Sequence, residues 1–223
     1  MVIFKSQNPT FNEWLTWAFD HPILDKGWWF GDDIEWLEPA PMKTVAYLTK
    51  VFEDPATILA NFSDGQINQG LWFIAHNACS SHMFAVIDDD IALEDRITCV
   101  RSFYFLYEKL FVNCCSPTLS HLSEHGEPLN EICYMWWDLV PICGQPDQPL
   151  RAKIDQEILK VMSRTLQLKS DACREGALHG LGHWHEFYPR LIEDIIDNFL
   201  QDNPNLRPEL ARYAASAKTG KIN

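Results

Sequence analysis

The last fifty residues constrain the fold of this chain most strongly. Between residues 171 and 221, apolar side chains recur three or four positions apart in three successive segments joined by short turns. This spacing places them on one face of an α-helix. An amphipathic helix of this length cannot bury its apolar stripe alone, so we expect neighbouring helices to stack. The apolar positions are Cys173, Ala177, Leu178, Leu181 and Trp184, then Leu191, Ile192, Ile195, Ile196, Phe199 and Leu200, then Leu210, Tyr213, Ala214 and Ala217.

The rest of the 223-residue chain repeats the helical period and contains no alternating run with hairpin punctuation. We therefore predict an all-α fold of about nine helices in a single domain spanning residues 1–223, with a less regular part before residue 150. Asn8 and Pro9 are placed to begin the first helix. The longest candidate helix covers residues 91–114, and further helices are predicted at about 41–52, 64–75, 129–140 and 150–168.

The segment Cys173–Lys221 resembles a HEAT-like helical repeat. Its first helix, turn, second helix, turn and next first helix correspond to Arg174–Trp184, Glu186–Pro189, Arg190–Leu200, Asp202–Asn205 and Arg207–Ala217. The resemblance implies stacked antiparallel helical hairpins in an α-α superhelix that presents a concave surface to another macromolecule. Gly176 and Gly180, four residues apart, would leave a bare strip on which a neighbouring helix can approach closely.

The charge of the chain is distributed unevenly. Residues 1–150 contain 7 Lys and Arg against 21 Asp and Glu, a net charge of −14, whereas residues 151–223 contain 11 against 10, a net charge of +1. An acidic surface repels nucleic acid and anionic lipid and attracts a basic protein partner. No apolar run reaches membrane-spanning length and the first residues lack a secretory signal, so we expect a cytoplasmic protein that binds neither membranes nor nucleic acid.

Aromatic and acidic residues alternate in one early segment, which is the first candidate site. Rings beside carboxylates suit a partner that carries Lys or Arg, because rings supply buried area and carboxylates supply steering. The alternative interpretation is that the rings cap the end of the helical stack and the carboxylates are solvated. The candidate residues are Trp28, Trp29, Asp32, Asp33, Glu35 and Trp36.

Three histidines, His179, His183 and His185, form the second candidate site. His179 and His183 are one helical turn apart, which is a spacing that zinc proteins use, although the Glu of the metalloprotease motif is missing. His121 and His125 repeat this spacing, so a composite metal site is conceivable. The alternative is structural, with His179 packed between helices and the other two bonded to terminal carbonyls.

The sequence contains no Gly-rich phosphate loop and no nucleophile elbow, and its seven cysteines include no C-x-x-C pair. We therefore predict no catalytic residue and no cofactor. The favoured hypothesis is a non-enzymatic protein-binding module, for example a bacterial immunity protein that neutralises a basic toxin domain. The alternative is a metal-dependent enzyme built on His179, His183 and His185, and the third hypothesis is a HEAT-like DNA-binding protein or glycosylase. The sequence leaves the partner and the oligomeric state open.

Overall fold

The computed structural model describes residues 8–24, 26–31, 34 and 36–222, and these residues form helices and connecting loops without a β-strand. Nine of the α-helices are at least nine residues long, which confirms the predicted all-α class and the number of helices. The α-helices are α1 (Phe11–Phe19), α2 (Pro41–Glu53), α3 (Pro55–Ile58), α4 (Asp64–Ala75), α5 (Leu93–Phe105), α6 (Val112–Cys114), α7 (Asn130–Leu139), α8 (Pro149–Thr165), α9 (Asp171–Trp184), α10 (Pro189–Asp202) and α11 (Pro208–Ala217).

Helix α1 begins two residues later than the sequence predicts. The Thr10 hydroxyl accepts a hydrogen bond from the Glu13 amide, and the Glu13 carboxylate accepts one from the Thr10 amide. This capping box satisfies two amides that the helix start would otherwise leave unpaired. The predicted start at Asn8 and Pro9 is therefore wrong. Ser63 caps α4 in the same way.

The longest predicted helix is present, but it is not uniform. Helix α5 continues through a π-helical segment, Leu106–Phe111, directly into α6. Within the wide turn, the Tyr107 hydroxyl donates a hydrogen bond of 3.1 Å to the carbonyl oxygen of Cys133 on α7. A π-helical turn inserts one extra residue per turn and shifts the faces that follow it. Nothing in the apolar spacing predicts it.

A single hydrophobic cluster extends through the fold from Trp14 to Ala217. Helix α9 lies at the centre of its C-terminal part, in contact with α7, α8, α10 and α11. The HEAT-like resemblance of this part stays a prediction. In the N-terminal part, α1, α2, α4 and the 3-10 helix His82–Ile87 enclose a group of aromatic rings. Among the described residues, no helix has both the length and the apolarity needed to cross a bilayer.

Candidate functional site

The site begins with the close contact of α7 and α9. A Cβ atom at Gly176 would lie 2.4 Å from the carbonyl oxygen of Cys133, and one at Gly180 would lie 2.6 Å from Cγ of Trp137. Both distances are shorter than a carbon atom tolerates, so the two helices can approach this closely because these residues are glycines. The predicted bare strip is confirmed, and α7 is the helix that occupies it.

The close approach encloses a line of polar side chains on α9. Glu175, His179 and His183 are four residues apart and therefore share one helical face. Opposite them lie Tyr134 and Asp138 on α7, and a sixth side chain, Tyr213, reaches the line from α11. The line runs from the buried Glu175 to the exposed His183. A polar stripe inside an apolar helix pair costs stability unless its groups bond to one another.

At the outer end of the line, three metal-ligating atoms converge. His179 Nε2 lies 3.1 Å from His183 Nε2, and His183 Nε2 lies 3.6 Å from Asp138 Oδ1. All three atoms lie within 4.8 Å of one another. The His179 ring is buried, whereas the side chains of His183 and Asp138 are 40% and 43% exposed. We call Asp138, His179 and His183 the triad.

In the middle of the line, His179 has a defined protonation state. Burial, and secondarily the nearby His183 and His121, lower the pKa of His179 to about 3, so its imidazole is neutral at physiological pH. Its Nδ1 lies 2.7 Å from the Tyr213 hydroxyl, which is itself 3.1 Å from the Tyr134 hydroxyl. When Nδ1–H donates to Tyr213, the Nε2 of His179 carries a lone pair that faces His183 Nε2 at 3.1 Å and can accept its hydrogen bond or bind a metal ion.

At the inner end of the line, Glu175 connects a loop to α9 through hydrogen bonds. The Glu175 carboxylate is fully buried and accepts hydrogen bonds from the amides of Ser120 and His121, each 2.9 Å long. His121 Nδ1 lies 2.5 Å from the same carboxylate, and its ring stacks on Tyr213 at 4.1 Å. Burial raises the pKa of Glu175, and the bonds from His121 and Ser120 oppose that rise. Glu175 therefore engages His121, which the sequence offered as a member of a composite metal site.

The third predicted ligand, His185, has other neighbours. Its Nε2 lies 3.5 Å from a carboxylate oxygen of Glu193 on α10, and its ring faces Gly220. The triad contains Asp138 in its place. Sequence reasoning missed Asp138 because it is more than forty residues from His179. Glu175 was also missed, although its position one turn before His179 was a usable signal.

A cleft opens beside the exposed end of the triad. Its volume is about 480 Å³, and Asp138 and His183 contribute to its lining. Among the residues that the structure describes, aromatic and aliphatic side chains form most of the remaining wall, and the other charged group is Glu186. The apolar lining residues are Phe84, Trp137, Val140, Pro141, Ile142, Trp184 and Phe187. A group bound at the triad would therefore face a largely apolar hollow.

The first candidate site, in the early aromatic segment, is only partly described. Trp28 is buried, with its ring stacked on His21 at 3.7 Å, and Trp29 and Trp36 are half-buried. Asp32, Asp33 and Glu35 lie outside the described residues. The burial of Trp28 agrees with the interpretation of the rings as a hydrophobic cap. The exposed apolar side chains of this segment are Ile23, Leu24 and Phe30.

Comparison with known proteins adds no assignment to this geometry. No protein-family model, no curated protein and no solved structure matches the chain.

Proposed function

We propose that the protein binds a divalent transition-metal ion, with zinc as the reference case, at Asp138, His179 and His183 and acts as a metal-dependent enzyme. The observation that carries the proposal is the convergence of three ligand atoms within 4.8 Å at the edge of a cleft. This is the second of the functions suggested by the sequence, with Asp138 replacing His185.

The spacing of the triad supports shared coordination. Two nitrogen ligands that are each about 2.0–2.1 Å from a tetrahedral zinc ion are about 3.3 Å apart. The two Nε2 atoms of His179 and His183 are 3.1 Å apart, close to that value. Asp138 and His183 are partly exposed, so small rotations about their side-chain bonds can complete the geometry, while the buried His179 stays fixed.

The state of His179 meets a condition that metal binding requires. A histidine binds a metal through its neutral form, and burial already keeps this imidazole neutral. Metal-ligating histidines donate their other ring N–H to a hydrogen-bond acceptor, which fixes the tautomer. The Tyr213 hydroxyl, 2.7 Å from Nδ1, is suited to that role.

Three protein ligands are the pattern of catalytic zinc sites, which keep a further position for water or substrate. Asp138 and His183 line the cleft, so that position would face the cleft. A zinc ion lowers the pKa of its bound water toward 7 and makes it a nucleophile at neutral pH. Hydrolysis is therefore the reaction class we propose.

The test is a zinc titration by calorimetry on EDTA-treated protein that carries no affinity tag. We expect one ion per chain. Asp138→Asn and His183→Ala should each weaken zinc binding by more than about 100-fold, because each removes a ligand. Both side chains are partly exposed, so the variants should fold, which circular dichroism checks.

The matched control is His185→Ala, since His185 neighbours the triad in sequence and contacts Glu193 instead. Its zinc affinity should remain within about twofold of the unmodified protein. A chain that binds no zinc would refute the proposal. So would a His185→Ala variant that loses as much affinity as Asp138→Asn.

A second candidate function is the favoured hypothesis of the sequence, binding of a basic protein. It is supported by the exposure of Ile23, Leu24 and Phe30, whose side chains are 64%, 52% and 66% exposed in one short segment. The net charge of −14 over residues 1–150 supports it as well. Nothing among the described residues favours the third hypothesis, DNA binding.

Protein binding can be tested with the product of the neighbouring gene. If that product is a basic toxin domain, its affinity for this chain should fall with rising salt and should fall further in the double variant Ile23→Ser, Phe30→Ser. A neighbouring product that is not basic, or binding that is indifferent to both changes, would count against this candidate.

A further inference from the structure

We infer that the cleft beside the triad accepts an acyl compound with an uncharged or cationic apolar body, and that it disfavours a negative charge on that body. The inference rests on the proposed function, since the triad metal would hold the carbonyl oxygen. It goes further by naming the class of substrate.

The walls of the cleft determine the apolar part of the inference. Trp137, Ile142 and Trp184 form a nearly fully buried base, and Phe84 and Phe187 stand at the more exposed edge. Phe84 is 43% exposed, although aromatic side chains of this size are usually covered. A volume of about 480 Å³ lies within the range of small-molecule sites and has room for a body of one or two rings.

The charged side chains of the cleft determine which charge the body of the substrate can carry. Glu186 contributes a carboxylate that is not part of the triad, and the described residues of the lining include neither Lys nor Arg. The charge of Asp138 would be offset by the metal that it binds, and His183 would be a neutral ligand. A negative charge on the body of the substrate, away from the metal, would therefore be repelled by Glu186.

The reaction consistent with this class is hydrolysis of an acyl ester. The oxygen of a water molecule forms a bond to the carbonyl carbon, and the bond from that carbon to the ester oxygen breaks. One proton of the water passes to the departing alcohol, so the products are a carboxylic acid and an alcohol. Neither an oxidant nor a reductant is required.

The experiment uses hydroxamates as probes, because each carries the same metal-binding group on a different body. Titrated into the zinc-loaded protein, benzohydroxamate should bind at least tenfold more tightly than acetohydroxamate, because its ring fills the apolar hollow. Phe84→Ala and Phe187→Ala should weaken benzohydroxamate about tenfold and leave acetohydroxamate unchanged. Leu191→Ala, on an exposed part of α10 outside the cleft, is the matched control.

Charge is tested by adding a substituent to the same probe. 4-Carboxybenzohydroxamate should bind about tenfold more weakly than benzohydroxamate at low salt, and Glu186→Gln should remove most of that difference. 4-(Aminomethyl)benzohydroxamate should bind at least as well as the parent compound.

The outcomes separate the two proposals. A chain that binds no zinc removes the proposed function and this inference together. Zinc binding with equal affinity for the two parent hydroxamates, or with tighter binding of the carboxylated probe, overturns the substrate class and leaves the metal site standing.

Discussion

Two buried histidines, one in each half of the molecule, look alike when considered singly. His82 and His179 are each about 2% exposed, and burial lowers the pKa of His82 to about 4 and that of His179 to about 3. Their neighbours differ. The Nε2 of His82 accepts a hydrogen bond of 2.8 Å from the indole of Trp14, and its Nδ1 has no hydrogen-bond partner within the described part of the chain. His179 instead meets a tyrosine hydroxyl, a second histidine and, through it, a carboxylate.

The comparison teaches that a strongly lowered histidine pKa reports burial rather than function. Among the described residues, His82 belongs to no group of three metal-ligating side chains, and the rings of Trp14, Trp17 and Phe73 surround it. His179 has the same protonation state but belongs to the triad. The difference lies in which atoms the neighbouring helices bring within reach, and the predictions below test that difference.

The largest expected effect is the response of stability to acid. At pH 7.5 both histidines are almost entirely neutral in the folded and in the unfolded chain. As the pH falls from 6.5 toward 4, His82 and His179 become protonated in the unfolded chain but stay neutral in the folded protein. The free energy of unfolding therefore decreases. At pH 4.5, each histidine should have lowered the free energy of unfolding by about 2–3 kcal/mol. Urea unfolding at pH 7.5 and 4.5, followed by tryptophan fluorescence, measures the sum.

The two contributions can be separated. His82→Gln, whose amide oxygen can still accept the Trp14 indole N–H, should reduce the loss between pH 7.5 and 4.5 by about 2–3 kcal/mol. Saturating zinc should stabilise the protein at pH 7.5 but not at pH 4.5, since protons and metal compete for the triad. Burial raises the pKa of Glu175 and Asp155, which increases the free energy of unfolding as the pH falls. This contribution is the same in the unmodified protein and in His82→Gln, so it cancels when the two are compared. Identical acid profiles for the two proteins would contradict the account of His82.

The second effect concerns the contact that makes the triad possible. Gly176→Ala should destabilise the protein by about 3 kcal/mol, because the new methyl group meets the backbone oxygen of Cys133 and forces α7 away from α9. Zinc affinity should fall as well, since Asp138 and His179 lie on those two helices. Urea midpoints and zinc titrations measure the two effects.

Gly65→Ala, a helical glycine in the other half of the molecule, is the matched control. Its methyl group would meet Cδ1 of Ile23, the end of a flexible and exposed side chain, which can move away at little cost. Because alanine also favours the helix by up to about 1 kcal/mol over glycine, this variant should be neutral or slightly stabilised. Equal losses for the two variants would mean that the α7–α9 contact is not especially tight.

The same contrast shows which features the sequence could predict. The 3.6-residue period of Leu191, Ile192, Ile195 and Ile196 is a local signal, and the expected helix is present as α10. Gly176 and Gly180 predicted a close approach for the same reason, since four residues separate neighbours on a helical face. The start of α1 depends on which of two possible capping residues is used, and local spacing does not distinguish Thr10 from Asn8.

The site required information that no local pattern contains. His179 and His183 are brought together by one helix, and this half of the triad was predicted. Asp138 joins them because the glycines of α9 admit α7. His185 is excluded because it follows the last residue of α9 and lies against Glu193 on α10. The replacement of His185 by Asp138 results from tertiary packing, whereas sequence spacing alone favours His185, which is only two residues from His183.

The smallest effect tests whether Tyr213 orients His179. Tyr213→Phe removes the hydroxyl 2.7 Å from Nδ1 and keeps the ring that stacks on His121. Stability should fall by about 1 kcal/mol, and zinc affinity should fall about tenfold, because Nδ1–H loses its acceptor and the tautomer with the proton on Nε2 then competes with the metal.

Tyr134→Phe removes a hydroxyl one step further from His179 and should change zinc affinity less than threefold. If both variants lose zinc affinity equally while stability changes in parallel, the hydroxyls serve packing and His179 resembles His82 after all. A tenfold loss confined to Tyr213→Phe, with the visible spectrum of the cobalt-substituted protein shifted in that variant alone, would separate the two histidines by function.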